Sequence, residues 1–261
     1  MEYYDIGINL FNKQFKKPQD IINTAADEGV ACVLTGTSLP SSKKVSEFIL
    51  QQTNSTYGTV GIHPHNADNA TKEDFGLMEE MLKNNSKLIA VGECGLDYDR
   101  MYSIKEKQLE CLEKHIILAE KMNMPLFLHE RSAVNDFISC LQNHKEICQK
   151  SVVHCFTGNQ ETLEKYLNMG FFIGITGWIC DNRRGEELQK TVKIIPLDRI
   201  LVETDAPYLT PKNIPGLSRV NVPENIKYVV KELANHMGVD EYILKRSCKN
   251  NTEQLFGIVS V

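Results

Sequence analysis

The chain has 261 residues, a formal net charge of −5 and eight cysteines. This length suits one α/β domain, and the acidic balance excludes a surface coated in positive charge, so any contact with nucleic acid must be local. The opening Met-Glu-Tyr-Tyr-Asp lacks a secretory leader pattern, and no apolar run approaches the length of a membrane span. We therefore expect a cytoplasmic protein, or a nuclear one in a eukaryote, with free thiols and no membrane contact.

Short apolar, β-branched runs alternate with amphipathic stretches along the whole chain. The runs predict eight strands: Tyr4–Leu10, Ala31–Gly36, Gly58–His63, Leu88–Gly92, Leu126–His129, Val152–Phe156, Phe171–Thr176 and Ile200–Glu203. The stretches predict eight intervening helices and a ninth at the end: Gln19–Glu28, Ser42–Gln52, Lys72–Lys83, Ile104–Met122, Ala133–Asn143, Gln160–Asn168, Arg184–Val192, Glu224–Met237 and Asp240–Leu255. No Gly-rich phosphate loop follows the first strand, which favours a closed barrel over a doubly wound sheet. The sequence predicts a single-domain TIM-type (β/α)8 barrel spanning residues 1–261.

Four acid or imidazole side chains lie at the ends of predicted strands. Glu93, His129, His154 and Asp205 follow the fourth, fifth, sixth and eighth strands, whose carboxyl ends meet at one mouth of a barrel. Each histidine alone is more simply interpreted as a hydrogen-bonded core residue, but the four together favour a metal centre. Two imidazoles and two carboxylates suit Zn²⁺, Mn²⁺ or Mg²⁺ in an open site that activates water.

Side-chain alternation along a strand predicts which way the neighbouring residues point. If Glu93 and His154 face the mouth, the adjacent Cys94 and Cys155 face the helices as core residues. By the same rule Glu203 shares a side with Asp205 but lies deeper in the barrel.

His63 and His65 flank a proline directly after the third predicted strand. Three roles are open to them, namely metal ligands, phosphate contacts and proton carriers near neutral pH. We favour substrate contact, because Pro64 places the pair in a turn beyond the strand.

Three arginines are predicted to lie near the mouth and bind substrate phosphate. Arg131 follows His129 on the same side of its strand, and Arg183 and Arg184 follow the seventh strand. A solvated surface role is the alternative for the last two. Trp178, in the same loop, either stacks a base or packs against the barrel.

Six segments resemble, in sequence and in order, those of the TatD family of metal-dependent deoxyribonucleases: Asp5–Leu10, Gly61–His65, Gly92–Asp97, Met124–His129, Val153–Gly158 and Glu203–Pro207. The resemblance spans nearly the whole chain. It implies a TIM-type barrel of the amidohydrolase-like group, a divalent metal, and phosphodiester hydrolysis, often from the 3′ end of DNA. It also implies that Glu93, His129 and His154 are metal ligands and that Asp205 is a ligand or general base.

The first strand departs from the pattern of many members of this family. They carry a His-x-His pair where this chain has Gly7 and Asn9, so one metal position lacks its imidazoles. A subgroup with the same asparagine is familiar. The amide oxygen of Asn9 suits Mg²⁺ better than Zn²⁺, so we expect Mg²⁺, with Mn²⁺ and Zn²⁺ as alternatives.

The leading prediction is a metal-dependent deoxyribonuclease, a 3′–5′ exonuclease that prefers single-stranded DNA, with Glu93 and Asp205 as its catalytic residues. The expected partner is DNA, single-stranded or at its 3′ ends, with RNA as a second candidate, and the expected state is a monomer. The alternative enzyme is a hydrolase of a carboxylic ester or amide, such as a lactonase, amidase or aminoacyl-tRNA deacylase, because the same site polarises either kind of oxygen. A catalytically silent interaction protein is disfavoured by the intact ligand set.

Overall fold

The computed structural model describes residues 1–259. Its strands are β1 Tyr3–Ile8, β2 Val30–Leu34, β3 Thr56–Val60, β4 Leu88–Asp97, β5 Leu126–Arg131, β6 Val152–Val153, β7 Phe172–Ile175 and β8 Ile200–Val202. Its α-helices are α1 Pro18–Asp27, α2 Leu39–Leu50, α3 Lys72–Asn84, α4 Lys105–Met122, α5 Val134–Leu141, α6 Lys145–Cys148, α7 Gln160–Met169, α8 Glu186–Thr191, α9 Ile226–Met237 and α10 Glu241–Phe256. Short 3-10 helices span Pro64–Asn69, Gly177–Cys180, Val192–Ile194 and Pro223–Asn225.

The eight strands form one parallel sheet in chain order, and the sheet closes on itself just beyond β8. The amide of Asp205 donates to the carbonyl of Gly7 at 3.0 Å, and the amide of Asn9 donates to the carbonyl of Ala206 at 2.7 Å. Deeper in the same seam, the buried carboxylate of Asp5 accepts hydrogen bonds from the amide and hydroxyl of Thr204. The predicted (β/α)8 barrel is confirmed.

Several predicted boundaries differ from the observed ones. β4 continues five residues past the predicted end at Gly92, whereas β6 ends at Val153, before the predicted end at Phe156. The backbone of Cys155 has φ +48°, a left-handed conformation that an extended strand does not contain. The predicted helix Ala133–Asn143 is shorter, and a separate one-turn helix, α6, follows it.

Apolar side chains fill two layers, one inside the barrel and one between the sheet and the helices. On β2, Cys32 and Leu34 pack with helix residues, while Ala31 and Val33 belong to a second cluster. That inner cluster includes Tyr4, Phe127, Phe172, Leu201, Leu255, Phe256 and Ile258. Because α10 contributes to it, the C-terminal segment covers the end where the strands begin. The polar side chains lie at the opposite end, where the strands finish.

Among residues 1–259, no helix combines the length and the apolar character that crossing a bilayer requires.

Candidate metal and hydrolase centre

A bulge in β4 places Glu93 at the mouth of the barrel. Gly92 pairs with Phe127 and Cys94 pairs with Leu128, so Glu93 is the extra residue between them. Bulges re-aim a side chain in this way beside functional sites. Gly92 has φ +145°, and a Cβ there would collide with the carbonyl oxygen of Phe127, so only glycine fits next to Glu93.

Three imidazoles converge on one oxygen of this carboxylate. Glu93 Oε1 lies 3.2 Å from His63 Nε2, 3.2 Å from His129 Nδ1 and 2.9 Å from His154 Nε2. Burial alone would raise the pKa of Glu93, but the imidazoles of His63 and His154 hold it well below its usual range. The carboxyl group is therefore ionised inside a ring of nitrogen donors.

The same side chains fit a divalent cation. Ligand atoms of His63, Glu93 and His129 all lie within 4.8 Å of one another. His129 Nε2 is buried and makes no hydrogen bond within the described residues, although Asp97 Oδ2 lies 3.4 Å away. Imidazole nitrogen and carboxylate oxygen are the ligands of catalytic rather than closed structural metal sites.

Asp97 is a part of the site that the sequence interpretation did not single out. Its Oδ2 lies 2.8 Å from His65 Nε2 and 3.4 Å from His129 Nε2. Its Oδ1 accepts from the amides of Asp99 and Arg100. Burial would raise the pKa of Asp97, but the neighbouring His129 imidazole, with the Arg100 amide and His65, lowers it. The Glu-x-x-x-Asp spacing was visible in the sequence, but a strand predicted to end at Gly92 left Asp97 in a loop.

Glu203 supports the centre from beneath. It is fully buried, its Oε2 lies 3.3 Å from His154 Nδ1, and its Oε1 accepts from the amide of Cys155 at 2.6 Å. Although burial lowers the pKa of His154, the carboxylates of Glu93 and Glu203 raise it well above its usual value. A Cβ on Gly7 would lie 2.5 Å from Glu203 Oε2, so the residue that replaces histidine on β1 makes room for this carboxylate.

Asp205 lies nearer the mouth than Glu203 and is partly exposed. Its Oδ1 accepts a hydrogen bond of 2.8 Å from Asn9 Nδ2. Burial raises the pKa of Asp205 to about 8, and Glu93 and Glu203 add to the shift against the opposing effect of His154. Its carboxyl group therefore gains and loses a proton near neutral pH.

The alternation rule is wrong for Cys155 and correct for Cys94. Cys94 is fully buried in the outer apolar cluster. Cys155 lies beyond the end of β6 and is partly exposed, and its Sγ is 3.8 Å from Thr176 Oγ1. Burial, with the carboxylates of Asp205 and Glu203, raises its pKa well above the usual value. The thiol thus belongs to the mouth, because the turn at Cys155 breaks the alternation.

The three arginines proposed from the sequence lie at the surface. Arg131 Nη2 is 3.0 Å from Asp99 Oδ2, and Arg184 Nε is 2.8 Å from Asp181 Oδ2. The Arg184 guanidinium also stacks over Trp178 at 4.5 Å, and Arg183 is exposed. Their role in binding phosphate stays a prediction, as do the roles assigned to the metal and catalytic residues.

Comparison with known proteins agrees with this geometry. Residues 4–257 match the family described as TatD related DNase. The 3′-5′ ssDNA/RNA exonuclease TatD of Erwinia billingiae is 38% identical over 257 residues, covering 97% of this chain and 98% of that protein. Its namesake from Escherichia coli K12 is 37% identical, covering 98% and 99%.

Two solved structures share the fold. The crystal structure of YjjV, a TatD homologue from Escherichia coli K12, superposes with a TM-score of 0.88 at 24% identity and covers 99% of each chain. A TatD family hydrolase from Entamoeba histolytica superposes with a TM-score of 0.80 at 25% identity and covers 97% of each chain. Together with the match across residues 4–257, these relatives establish that the chain belongs to the TatD-related DNase family.

Proposed function

We propose that this chain is a metal-dependent deoxyribonuclease that removes nucleotides from the 3′ end of single-stranded DNA. The observation that carries the proposal is the convergence of three imidazole nitrogens on one buried carboxylate oxygen of Glu93 at the open end of the barrel. The relatives from Erwinia billingiae and Escherichia coli are named as 3′-5′ ssDNA/RNA exonucleases, which supports the substrate and the 3′ polarity. Because those names include RNA, we propose RNA as a second substrate.

We propose that Glu93, His129, His154 and Asp205 hold the ion. The sequence interpretation reserved His63 for substrate, but its place beside Glu93 and His129 supports a role as a further ligand. Mg²⁺ remains the proposed ion, and the number of imidazoles keeps Mn²⁺ and Zn²⁺ as alternatives. When bound, the ion would activate water for attack and offset the negative charge of the phosphate.

In the proposed mechanism Asp205 accepts the proton of the attacking water. Burial raises the pKa of this carboxyl group, and a bound divalent ion would lower it again, which leaves the carboxylate ionised as a general base requires. Asn9 fixes its orientation through the 2.8 Å hydrogen bond. Glu203 Oε2, 3.3 Å from His154 Nδ1, supports the orientation of that ring, and Asp97 Oδ2 lies 3.4 Å from His129 Nε2.

Substrate phosphates are proposed to meet the histidine and arginine side chains around the rim. His65 is partly exposed between Asp97 and solvent, and Arg131, Arg183 and Arg184 are exposed. A few cations can bind a short stretch of the nucleic-acid backbone, whereas a net charge of −5 argues against the extended positive surface that duplex binding needs. We propose that the enzyme acts as a cytoplasmic monomer, which light scattering can check for the oligomeric state.

The alternative enzyme, a hydrolase of a carboxylic ester or amide, would use the same site, but the names of the relatives do not support it. The curated relatives described above are named as nucleases, not as lactonases, amidases or aminoacyl-tRNA deacylases. The ligand set and the raised pKa of Asp205 equally oppose a catalytically silent barrel.

The proposal is tested by digesting single-stranded DNA labelled at the 3′ end or at the 5′ end, with Mg²⁺, Mn²⁺ or EDTA. We expect the 3′ label to appear first as mononucleotide, while the 5′-labelled strand shortens progressively, and EDTA should arrest both. Rapid cutting of circular single-stranded DNA would show an endonuclease instead. Inertness toward DNA and RNA alongside metal-dependent cleavage of a lactone would overturn the nuclease assignment.

A further inference from the structure

Two exposed tyrosines lie on the loops that surround the barrel mouth. Tyr102, 66% exposed, follows β4, and Tyr208, 46% exposed, follows β8. Within the described part of the chain the other strongly exposed aromatic residue is Tyr242, on α10. Neither mouth tyrosine packs into the two apolar clusters, so burial does not explain the rings.

The two tyrosines lie on opposite sides of the candidate centre. The strands follow one another around the barrel in chain order, so β4 and β8 are half a circumference apart. The Tyr102 ring meets His65 edge to face at 4.7 Å, and His65 contacts Asp97. The Tyr208 amide donates to the carbonyl of Asp205 at 3.0 Å. A flexible strand that crosses the mouth between the rings passes over Glu93 and its imidazoles.

Each ring is held at one edge. The His65 contact supports Tyr102, and the hydroxyl of Tyr208 accepts a 2.6 Å hydrogen bond from Asn12 Nδ2. Arg131, which is also exposed, lies at the end of β5, next to β4, the strand that Tyr102 follows. An anchored aromatic ring on one loop and a guanidinium at the end of the neighbouring strand together present what a nucleotide needs, a flat face for the base and a cation for the phosphate.

We propose that Tyr102 and Tyr208 are stacking platforms that hold two bases of a single strand on either side of the bond being cut. The inference rests on the proposed nuclease function and deepens it. Stacking is tolerant of sequence because every base has a π face, and it is denied to bases that remain stacked inside a duplex. The two platforms therefore account for a preference for single strands with little dependence on sequence.

The test compares Tyr102→Ala and Tyr208→Ala with the wild type on an oligonucleotide carrying 2-aminopurine at its 3′ end. Each replacement should raise KM about tenfold, the scale of one lost base–aromatic stack, with a smaller change in kcat. Tyr102→Phe and Tyr208→Phe keep the ring and should restore most of the affinity. Tyr242→Ala removes an equally exposed ring, 64% exposed, from the other end of the molecule and serves as the matched control.

Single abasic sites in the oligonucleotide identify the base that each ring holds. For the wild type, an abasic site at a stacked position should weaken binding about tenfold, and the variant that lacks the matching tyrosine should be insensitive to the same abasic site. Equal losses on intact and abasic strands, or equal losses in the Tyr242→Ala control, would overturn the stacking assignment.

Binding measured by fluorescence anisotropy in EDTA separates the two proposals. If the wild type binds the strand more tightly than the alanine variants but releases no nucleotide when Mg²⁺ or Mn²⁺ is added, the nuclease proposal is wrong and the stacking proposal is supported. If the wild type hydrolyses DNA while the alanine variants bind the strand as tightly as the wild type, the stacking proposal is wrong and the nuclease proposal is supported.

Discussion

Where the strands begin, the barrel is closed by apolar side chains of its strands and last helix, including Tyr4, Leu255 and Phe256. Where the strands end, the interior instead contains carboxylates and imidazoles, among them Glu93 and His154. Burying apolar area stabilises a fold by about 25 cal/mol per Å², whereas burying a carboxylate opposes folding unless partners compensate. The apolar end therefore contributes to the stability of the fold, whereas the polar end provides the chemistry at a cost in stability. Substitutions at the apolar end should lower stability, and substitutions at the polar end should lower activity.

The largest effect is expected at Glu93, where all three imidazoles converge. Glu93→Ala should lower turnover about a thousandfold or more, because the variant loses the proposed metal centre. That centre would stabilise the charge that develops in the transition state by several kcal/mol. Its melting temperature should stay within a few degrees of the wild type, since the mouth adds little to the core. Glu161→Ala, on an exposed helix position, is the control. Near-normal turnover of Glu93→Ala in metal-limited buffer would contradict the assignment.

Asp205→Asn keeps the shape of the side chain but removes its ability to accept a proton. We expect kcat to fall about a hundredfold or more with little change in KM, the scale of general-base catalysis. Asp198→Asn alters an exposed aspartate outside the mouth and should leave both constants alone. A rise in KM alone would make Asp205 a substrate contact.

At the apolar end the expectation reverses. Phe256→Ala should lower the free energy of unfolding by about 3 kcal/mol, because a nearly buried ring is removed from the inner cluster, while kcat of the folded protein is retained. Urea unfolding and steady-state kinetics on the same preparations check this separation. The control is Tyr242→Ala on the same helix, which should change stability by no more than a few tenths of a kcal/mol. Equal losses of stability in the two variants would contradict the conclusion that apolar side chains close and stabilise this end of the barrel.

A smaller effect is expected at His115, a buried histidine that supports the mouth from α4. Its Nε2 accepts from the amide of Ile62 at 3.0 Å, just before His63, and its Nδ1 donates to the carbonyl of Cys111 at 2.7 Å. Burial lowers the pKa of His115 to about 4. The unfolded chain therefore binds more protons between pH 6.5 and about 4, and stability falls as the pH drops through this window.

Between pH 7 and pH 5 this one group should remove about 2 kcal/mol from the free energy of unfolding. His115→Gln cannot take up a proton, so the difference between wild type and variant should shrink by that amount at pH 5. Urea unfolding at both pH values measures it. A difference that stays constant with pH would show that His115 is not the group responsible.

Much of the barrel was predictable because its signals are local. The alternation of apolar runs and amphipathic stretches gave all eight strands, and the acid and imidazole residues that end them lie at one mouth. The rule that placed Cys155 among the helices failed, since it assumes regular pairing and the chain turns at that residue. Asp97 was missed for a similar reason, because the bulge at Glu93 extends β4 beyond its apolar run.

The pairing of Glu203 with His154 depends on which strands become neighbours across the barrel, and no local pattern contains that information. The space that Gly7 leaves for Glu203 is of the same kind, since a departure from the family pattern acquires its meaning only when β1 and β8 meet. The grouping of His63 with Glu93 likewise emerges from folding rather than from spacing along the chain.

The seam between β1 and β8 also sets the order in which the site becomes complete during synthesis. Asp205 takes its position from a hydrogen bond with the first strand, and Asn9, directly after that strand, orients its carboxyl group. A chain still emerging from the ribosome exposes Glu93 and its histidines long before the residues that close the barrel exist. The proposed base is thus the last member of the site to be synthesised, and no part of the chain that precedes β8 contains the complete site.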